Sequence, residues 1–472
     1  MLFSSIVFLI YIFWPAVMIL YYLLPVRFRN VILLLASLVF YAWGEPVYLF
    51  LMLLSILFNY FSGLDIARNL PDKRAAKRSL GFFNLIINLA VLGLFLSMKG
   101  FLLDTLNGIL PVHISYHALP LPIGISFYTF QILSYIIDIY RGNVKVQTNL
   151  PNFALYVTMF PQLIAGPIVQ YADVDEQLAS REVSRTKFGE GSMYFIRGLA
   201  KKVLLANTSG MIFTEVSGLA KGNIAVVTAW LGAFAYMFQI YFDFSGYSDM
   251  AIGLGKMFGF EFNMNFNYPY VSKSITEFWR RWHISLSSWF RDYVYIPLGG
   301  SRVSKIKHIR NLLIVWFLTG LWHGAAWNFV AWGLYYGVIL IIEKVSPVAG
   351  TGQTSGCSPS YLQYCSGCDR LGIIFSSSSF GQAADYIRVM FGAGAHGFAD
   401  RESMYLLTSN LILWLILIFG STPLVHFRYE HMLRTKKWNT TIINSVVYAA
   451  LFIVCIAYLV TETYNPFLYF RF

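Results

Sequence analysis

From Asn311 to Ile342 no residue carries a formal charge, and near the middle of this run stands one side chain able to titrate near neutral pH, His323. An ionisable group placed where a bilayer would be driest must offset the cost of its desolvation, so a functional site is the default reading. Its neighbours fit that reading. Gly324 permits close approach of a backbone or a substrate, Trp322 and Trp327 wall out water, and the Asn328 amide offers hydrogen bonds to orient the ring or to hold an oxyanion. An imidazole kept from water favours its neutral form near pH 7 and can accept a proton, which is what a general base needs. The competing reading is a core histidine bonded to a carbonyl of a neighbouring helix, with Asn328 as a helix-packing amide.

A second group lies just upstream, in Ser272 to Arg310, where eight Lys/Arg stand against Glu277 and Asp292. Trp279, Trp282, Trp289, Phe290 and Tyr293 interleave with Arg280, Arg281 and Arg291, and His283 lies among them. Aromatics at headgroup level with arginines reaching for phosphate suit a lipid surface and the phosphates of a cofactor equally. His283 reads either as a residue at the mouth of a path to His323 or as a polar tip in a wet zone. Asp243 and Asp249, beyond the apolar run Ile224 to Tyr241, are expected to cap and polarise the start of a following helix. His113 and His117 are four apart but have no Cys, Asp or Glu nearby to complete a ligand set, so no metal site is expected.

The elements that must hold these groups are membrane helices. Hydrophobic residues make up 57% of the chain and charged residues 12%, where soluble domains carry about 25%. The net charge of +12 is spread over short basic clusters between apolar runs. That is the positive-inside pattern of a multi-pass protein, and it argues against nucleic acid as a partner. Leu2 to Leu24 is too long for a signal-peptide core and lacks a basic leader, so it reads as a retained span. Val31 to Trp43 and Pro46 to Ile66 form a hairpin, Asp72 to Arg78 is a cytoplasmic loop, and Leu80 to Ser97 and Leu119 to Tyr140 are further spans. Pro161, Gly166 and Pro167 break the segment 152–170 before it can cross, the mark of a re-entrant element buried in protein. Asp173 to Arg185 reads as a polar loop, and Lys187 to Ala206 as an amphipathic helix lying in the interface. Tyr405 to Gly420 and Thr440 to Val460 are the last spans, and the charge signs put both chain ends outside.

The run around His323 is long enough to rise about 50 Å as one helix, against a bilayer of about 30 Å. It therefore reads as two arms turning near His323, a single strongly bent crossing being the alternative. The chain divides into 1–145 with the N-terminal spans, 150–345 as the core, 346–379, and 380–472 with the C-terminal spans. The third piece is atypical, rich in Ser and Gly with Cys357, Cys365 and Cys368. The CxxC of Cys365 and Cys368 has no second pair or histidine partner nearby, so zinc is not expected there.

Several long motifs, in order over most of the chain, resemble the bacterial alginate O-acetyltransferase branch of the membrane-bound O-acyltransferases. They are WRRWHISLSSWFRDYVYIPLGGSR at 279–302 and LTGLWHGAAWNFVAWGLYYG at 318–337, supported by LASLVFYAWGEP at 35–46, LPIGISFYTFQILSYIIDIYRG at 121–142, FPQLIAGPIVQ at 160–170, YFDFSGYSDMAIGLGKMFGF at 241–260 and NPFLYFRF at 465–472. The resemblance fails between about 346 and 378, where such proteins have an apolar span. Pro347 to Ser376 thus reads either as a genuine insertion or as a frame-altered run that has lost a helix, and a tryptic peptide matching 371–388 is the check.

The resemblance implies an all-α, polytopic transmembrane bundle with re-entrant and interfacial helices around a central tunnel, in the inner (plasma) membrane of a bacterial cell. It makes His323 the catalytic histidine and His283 the second motif histidine. It implies transfer of acetyl from a cytoplasmic donor such as acetyl-CoA, with no bound cofactor, to an extracytoplasmic polysaccharide through a secreted or periplasmic serine-esterase-like acetyltransferase. Arg280, Arg281, Arg291, Trp279 and Asn328 are the donor-side candidates. The alternatives are an acyl carrier or channel without chemistry of its own, and D-alanine transfer to teichoic acid.

Overall fold

The computed structural model describes residues 5, 8, 13–78, 84–98, 105–107, 109, 115, 122–164, 166–219, 224–324, 326–345, 380–435, 440–461 and 468. His113, His117, the three clustered cysteines and the run Pro347 to Ser376 lie outside them. Among the described residues every regular element is helical. In chain order they are α1 (Phe13–Leu23), α2 (Arg29–Gly44), α3 (Tyr48–Asn69), α4 (Lys73–Arg78), α5 (Ile86–Met98), α6 (Ile125–Arg141), α7 (Leu150–Thr158), α8 (Phe160–Leu163), α9 (Tyr171–Ala179), α10 (Arg185–Ala200), α11 (Asn207–Gly218), α12 (Val226–Met257), α13 (Ile275–Arg281), α14 (Ile284–Phe290), α15 (Lys305–His323), α16 (Trp327–Val345), α17 (Phe380–Met390), α18 (Arg401–Ser409), α19 (Leu411–Gly420), α20 (Leu424–Thr435) and α21 (Thr440–Thr461). Three described helices are long and apolar enough to cross a membrane: Val26–Gly44, Tyr48–Asn69 and Ile442–Thr461. A fourth is added if the bent pair α18 and α19 counts as one.

The chain forms two compact units, one of Met1–Phe195, Ser248–Met264 and Ser288–Pro297, the other of Ile196–Tyr247, Asn265–Ser287 and Leu298–Phe472. In the first, α2 and α3 cover the two expected arms and are joined at Glu45 to Val47. Asn149 caps α7 by accepting from the Asn152 N–H (3.0 Å), and Met159 leaves helical geometry, so α7 stops before Pro161. The Phe160 N–H freed at that break donates to the Ser37 hydroxyl (3.1 Å), itself buried. The segment 152–170 is therefore broken inside protein, where irregular backbone finds partners. The polar loop expected at 173–185 is instead helical over Tyr171–Ala179, because Gln170 and Asp173 form a reciprocal capping box.

The second unit holds the core that matters for the site. Ala206, Ile212 and Val216 pack on Leu231, Ala235, Phe238 and Phe242 of α12, with Leu406, Trp414 and Leu417 closing the cluster. Two expectations are corrected here. α12 runs unbroken through Asp243 and Asp249, so neither residue starts a new helix. The helix expected over Lys187 to Ala206 forms and buries Phe195, Leu199 and Val203, but Lys202, in the π-helical turn Lys201–Ala206, is not on a polar face: it is 2% exposed and pairs with Asp243 at 2.6 Å. A Cβ on Gly246 would lie 2.7 Å from the Gly198 carbonyl oxygen, so glycine there lets α12 approach α10 closely enough for that pair to form. The expected span 405–420 is broken at Asn410, where α18 and α19 bend by 63°. Thr408 and Ser409 donate to the carbonyls four residues back and Asn410 donates to the Leu406 carbonyl (3.1 Å), side-chain bonds that compete with the helix ladder.

Candidate active site

α15 and α16 form an antiparallel hairpin with His323 as the last residue of the first arm, the two-armed arrangement expected from the length of the apolar run. Two glycines set the distance between the arms. A Cβ on Gly320 would stand 2.4 Å from the Phe329 carbonyl oxygen, and one on Gly333 would stand 2.2 Å from that of Trp316. Both obstacles are backbone, so neither can swing aside. Gly333→Ala is expected to destabilise the protein by about 1–3 kcal/mol and to lower transfer, since Trp332 moves with the helix. Thermal unfolding in detergent checks it against Gly93→Ala, whose added methyl meets nothing within 4 Å.

The aromatic wall differs from the expected one. Trp322 is buried as anticipated, but Trp327 is 51% exposed, and Trp332 takes its place. Phe329, Trp332, Tyr336 and Leu340 recur at helical spacing on the inward face of α16 and pack with Trp316. Trp327, at the first position of the helix, lies off that face. The His323 ring sits edge to face between Trp322 (4.8 Å between centroids) and Trp332 (4.9 Å) and keeps intermediate exposure. Trp322 also touches His283, at 5.8 Å, so one indole contacts both imidazoles. Asn328 lies in the first turn of α16, half-buried.

His283 occupies the junction of α13 and α14. Its backbone is left-handed (φ 44°), a conformation that costs a residue with a Cβ of order 1–3 kcal/mol and persists only where surroundings impose it. Asn265 imposes it: its carbonyl oxygen accepts from the Ile284 N–H (2.9 Å), while its side-chain oxygen lies 3.3 Å from His283 Nδ1. Burial pushes the His283 imidazole down to about 3, so it is neutral throughout the physiological range. Sequence reasoning missed Asn265. The only signal was the run of asparagines at 263, 265 and 267 shortly before the WRRWH motif.

The donor-side candidates divide by what already engages them. Trp279 packs edge-on against Trp316 and Tyr336, each at 4.8 Å, as part of the hairpin's core. Arg281 pairs with Glu277 (2.9 Å) and donates to the Asn267 carbonyl (3.2 Å). The Lys273 backbone N–H, helped by Arg281 and opposed by burial, holds the Glu277 carboxyl below the usual carboxylate range. Arg280 is exposed and, among the described residues, pairs with no carboxylate; burial first and then the Arg280 charge hold Lys344 below the usual lysine range. Arg291 belongs to the other compact unit, where it pairs with Asp292 (2.8 Å). Nearby in that unit Tyr293 donates to Asp138 (2.5 Å) and Trp289 donates to the Phe130 carbonyl (3.0 Å).

The sequence comparisons bear on the same residues. Residues 141–348 match the model of the MBOAT, membrane-bound O-acyltransferase family, a range that contains both histidines. Over 359 residues the chain is 47% identical to a protein named probable alginate O-acetylase from Azotobacter vinelandii, covering 75% of this chain and 71% of that one. The chain belongs to the membrane-bound O-acyltransferase family. As a member it is an O-acyltransferase, a helical enzyme of the membrane, in agreement with the resemblance read from its motifs. This membrane-bound O-acyltransferase is also 39% identical over 497 aligned positions, spanning all of both chains, to a probable alginate O-acetylase of Pseudomonas putida. A peptidoglycan O-acetyltransferase of Helicobacter pylori is 37% identical over 71% of this chain and 69% of its own.

Proposed function

We propose that this enzyme takes acetyl from a cytoplasmic thioester, acetyl-CoA, and passes it across the bacterial inner membrane for O-acetylation of an extracytoplasmic polysaccharide such as alginate, with His323 as general base. The observation that carries this reading is the position of the His323 ring, at the tip of the α15–α16 hairpin between two indoles yet still partly exposed. In the step, a hydroxyl oxygen attacks the thioester carbonyl as the imidazole takes its proton. The tetrahedral intermediate collapses, the C–S bond breaks, and the proton returns to the departing thiolate. A path through the protein that opens to both faces lets donor and acceptor reach one imidazole, so no acyl-enzyme is needed. Asn328 is assigned to the ring's orientation or the oxyanion, and Trp279 to the wall on the donor side. Of the donor-side arginines in the unit that holds His323, Arg280, which pairs with no carboxylate among the described residues, is assigned to the coenzyme A phosphates, while Arg281 holds Glu277. A secreted or periplasmic serine-esterase-like acetyltransferase completes delivery to the glycan.

Acetyl is favoured over D-alanine by coverage: a teichoic acid D-alanyltransferase of Streptococcus thermophilus is 30% identical over only 47% of this chain. The test is purified protein in detergent with acetyl-labelled acetyl-CoA. Release of free thiol and labelled acetate or ester without any partner protein is expected. Turnover that depends strictly on a partner would instead mark the chain as a carrier for the acyl group.

A further inference from the structure

The hydrogen bonds around Asn265 determine more than the backbone of His283. The Asn265 side-chain oxygen accepts from the Ser285 backbone N–H (3.1 Å) and from the Ser285 hydroxyl (2.9 Å). A backbone N–H can only donate, so the amide must present its oxygen, not its NH2, on this side. The same oxygen lies 3.3 Å from His283 Nδ1. Two acceptors facing each other there would repel, so the geometry favours the Nδ1–H form, which the ring's contact with its own backbone carbonyl also supports. In a neutral imidazole the other nitrogen is then the acceptor.

We propose that Asn265 is a positioning residue of the acyl-transfer site, which locks His283 as the Nδ1–H tautomer and so leaves its Nε2 lone pair as a standing acceptor on the ring that shares Trp322 with His323. The arrangement suits a second proton-accepting group for the attacking hydroxyl or for the donor's thiol, working beside His323 without a charge of its own. Three features support a built device. Asn265 is 2% exposed and His283 is 4% exposed, so water does not compete for these bonds. The left-handed backbone at His283 holds the ring in place. Asn265 contacts the segment by three routes, to Ile284, to Ser285 and to the ring itself. The assignment to acyl transfer rests on the proposed function; the tautomer does not.

The two can be tested apart. Protein labelled with 15N-histidine is examined in detergent at pH 7, and the His283 side-chain resonances are identified by their loss in His283→Gln. The expected signature is a protonated Nδ1 and an unprotonated Nε2. Asn265→Leu, which offers no acceptor, is expected to shift His283 towards the Nε2–H form and to lower transfer by about 10²-fold. Asn265→Asp keeps the acceptor, so the Nδ1–H signature and measurable transfer should persist, while its carboxylate moves the acid limb of the pH–rate profile to higher pH. A wild-type spectrum with Nε2 protonated overturns the proposal, as does an Asn265→Leu spectrum identical to wild type. If Asn265→Leu does not accumulate as folded protein, the wild-type and Asn265→Asp spectra decide alone. A correct tautomer in a protein that transfers no acetyl would overturn the acyl-transfer role and leave the positioning bond standing.

Discussion

Replacing His323 by alanine is expected to lower acetyl transfer by about 10²–10⁴-fold while the protein still reaches the membrane and folds. The size follows from the step assigned to the ring: without a base, the attacking hydroxyl must shed its proton unaided in a site walled by indoles. The fold should survive because His323 is the last residue of α15 and keeps intermediate exposure, so truncation opens space at the hairpin tip and leaves its core intact. That core is Trp316, Phe329, Trp332, Tyr336 and Leu340, with glycines holding the arms together below the tip. His323→Gln, which keeps the volume and one hydrogen-bonding group but cannot act as base, should fail as completely. Glycan acetylation by mass spectrometry, with membrane abundance measured in parallel, is the readout. Retained acetylation in a normally expressed His323→Ala protein would falsify the base assignment.

The second large effect is expected at Lys202 and Asp243. Their side chains are 3% and 1% exposed, the ion pair spans 2.6 Å, and the other Asp243 oxygen accepts from the backbone N–H of Leu468 (2.9 Å). Removing one member of such a pair leaves a buried charge without its counterion, at about 3–5 kcal/mol, a large part of any protein's stability. Lys202→Met and Asp243→Leu are each expected to lower the unfolding midpoint sharply or to abolish accumulation. Asp243→Asn should be milder at Leu468, because the amide keeps an oxygen for that N–H. The double replacement Lys202→Met with Asp243→Asn should recover much of the loss, since no unpaired charge remains. Thermal unfolding in detergent of the singles against the double checks this; singles as stable as wild type would show that the pair contributes nothing.

Much of this protein is legible in its residues, for reasons of scale. An uncharged run too long for one crossing had to fold back, and the turn near His323 is where the structure puts it. Prolines at 161 and 167 had to break a helix, and α7 and α8 are that break. Family motifs carried His283 to attention where local chemistry left it ambiguous.

Where the reading failed, the deciding contact was distant in sequence. An amphipathic helix over Lys187 to Ala206 and a helix cap at Asp243 are what each run supports by itself, because neither charge has its partner within its own stretch of sequence. A pair of lysines in AKKVLLA and a lone aspartate in YFDFSGY, opposite in sign and each set against apolar residues, were the available signal. Trp327 and Trp332 are equally aromatic, and only the packing of α16 on α15 decides which of them walls the histidine. Asn410 carries a helix-breaking tendency that spacing could not rank against the apolar pattern of its neighbours.

The sequence by itself determined the class of the chain, the hairpin that carries His323 and the family whose chemistry it shares, because these depend on composition, length and motifs read along one dimension. The tertiary structure alone decided which indoles enclose the imidazole, which carboxylate neutralises Lys202 and which side-chain oxygen faces the His283 ring. Each of those depends on a partner that is remote along the chain and lies within a few ångströms in space, and hydrogen bonds and buried charges are fixed by that second distance.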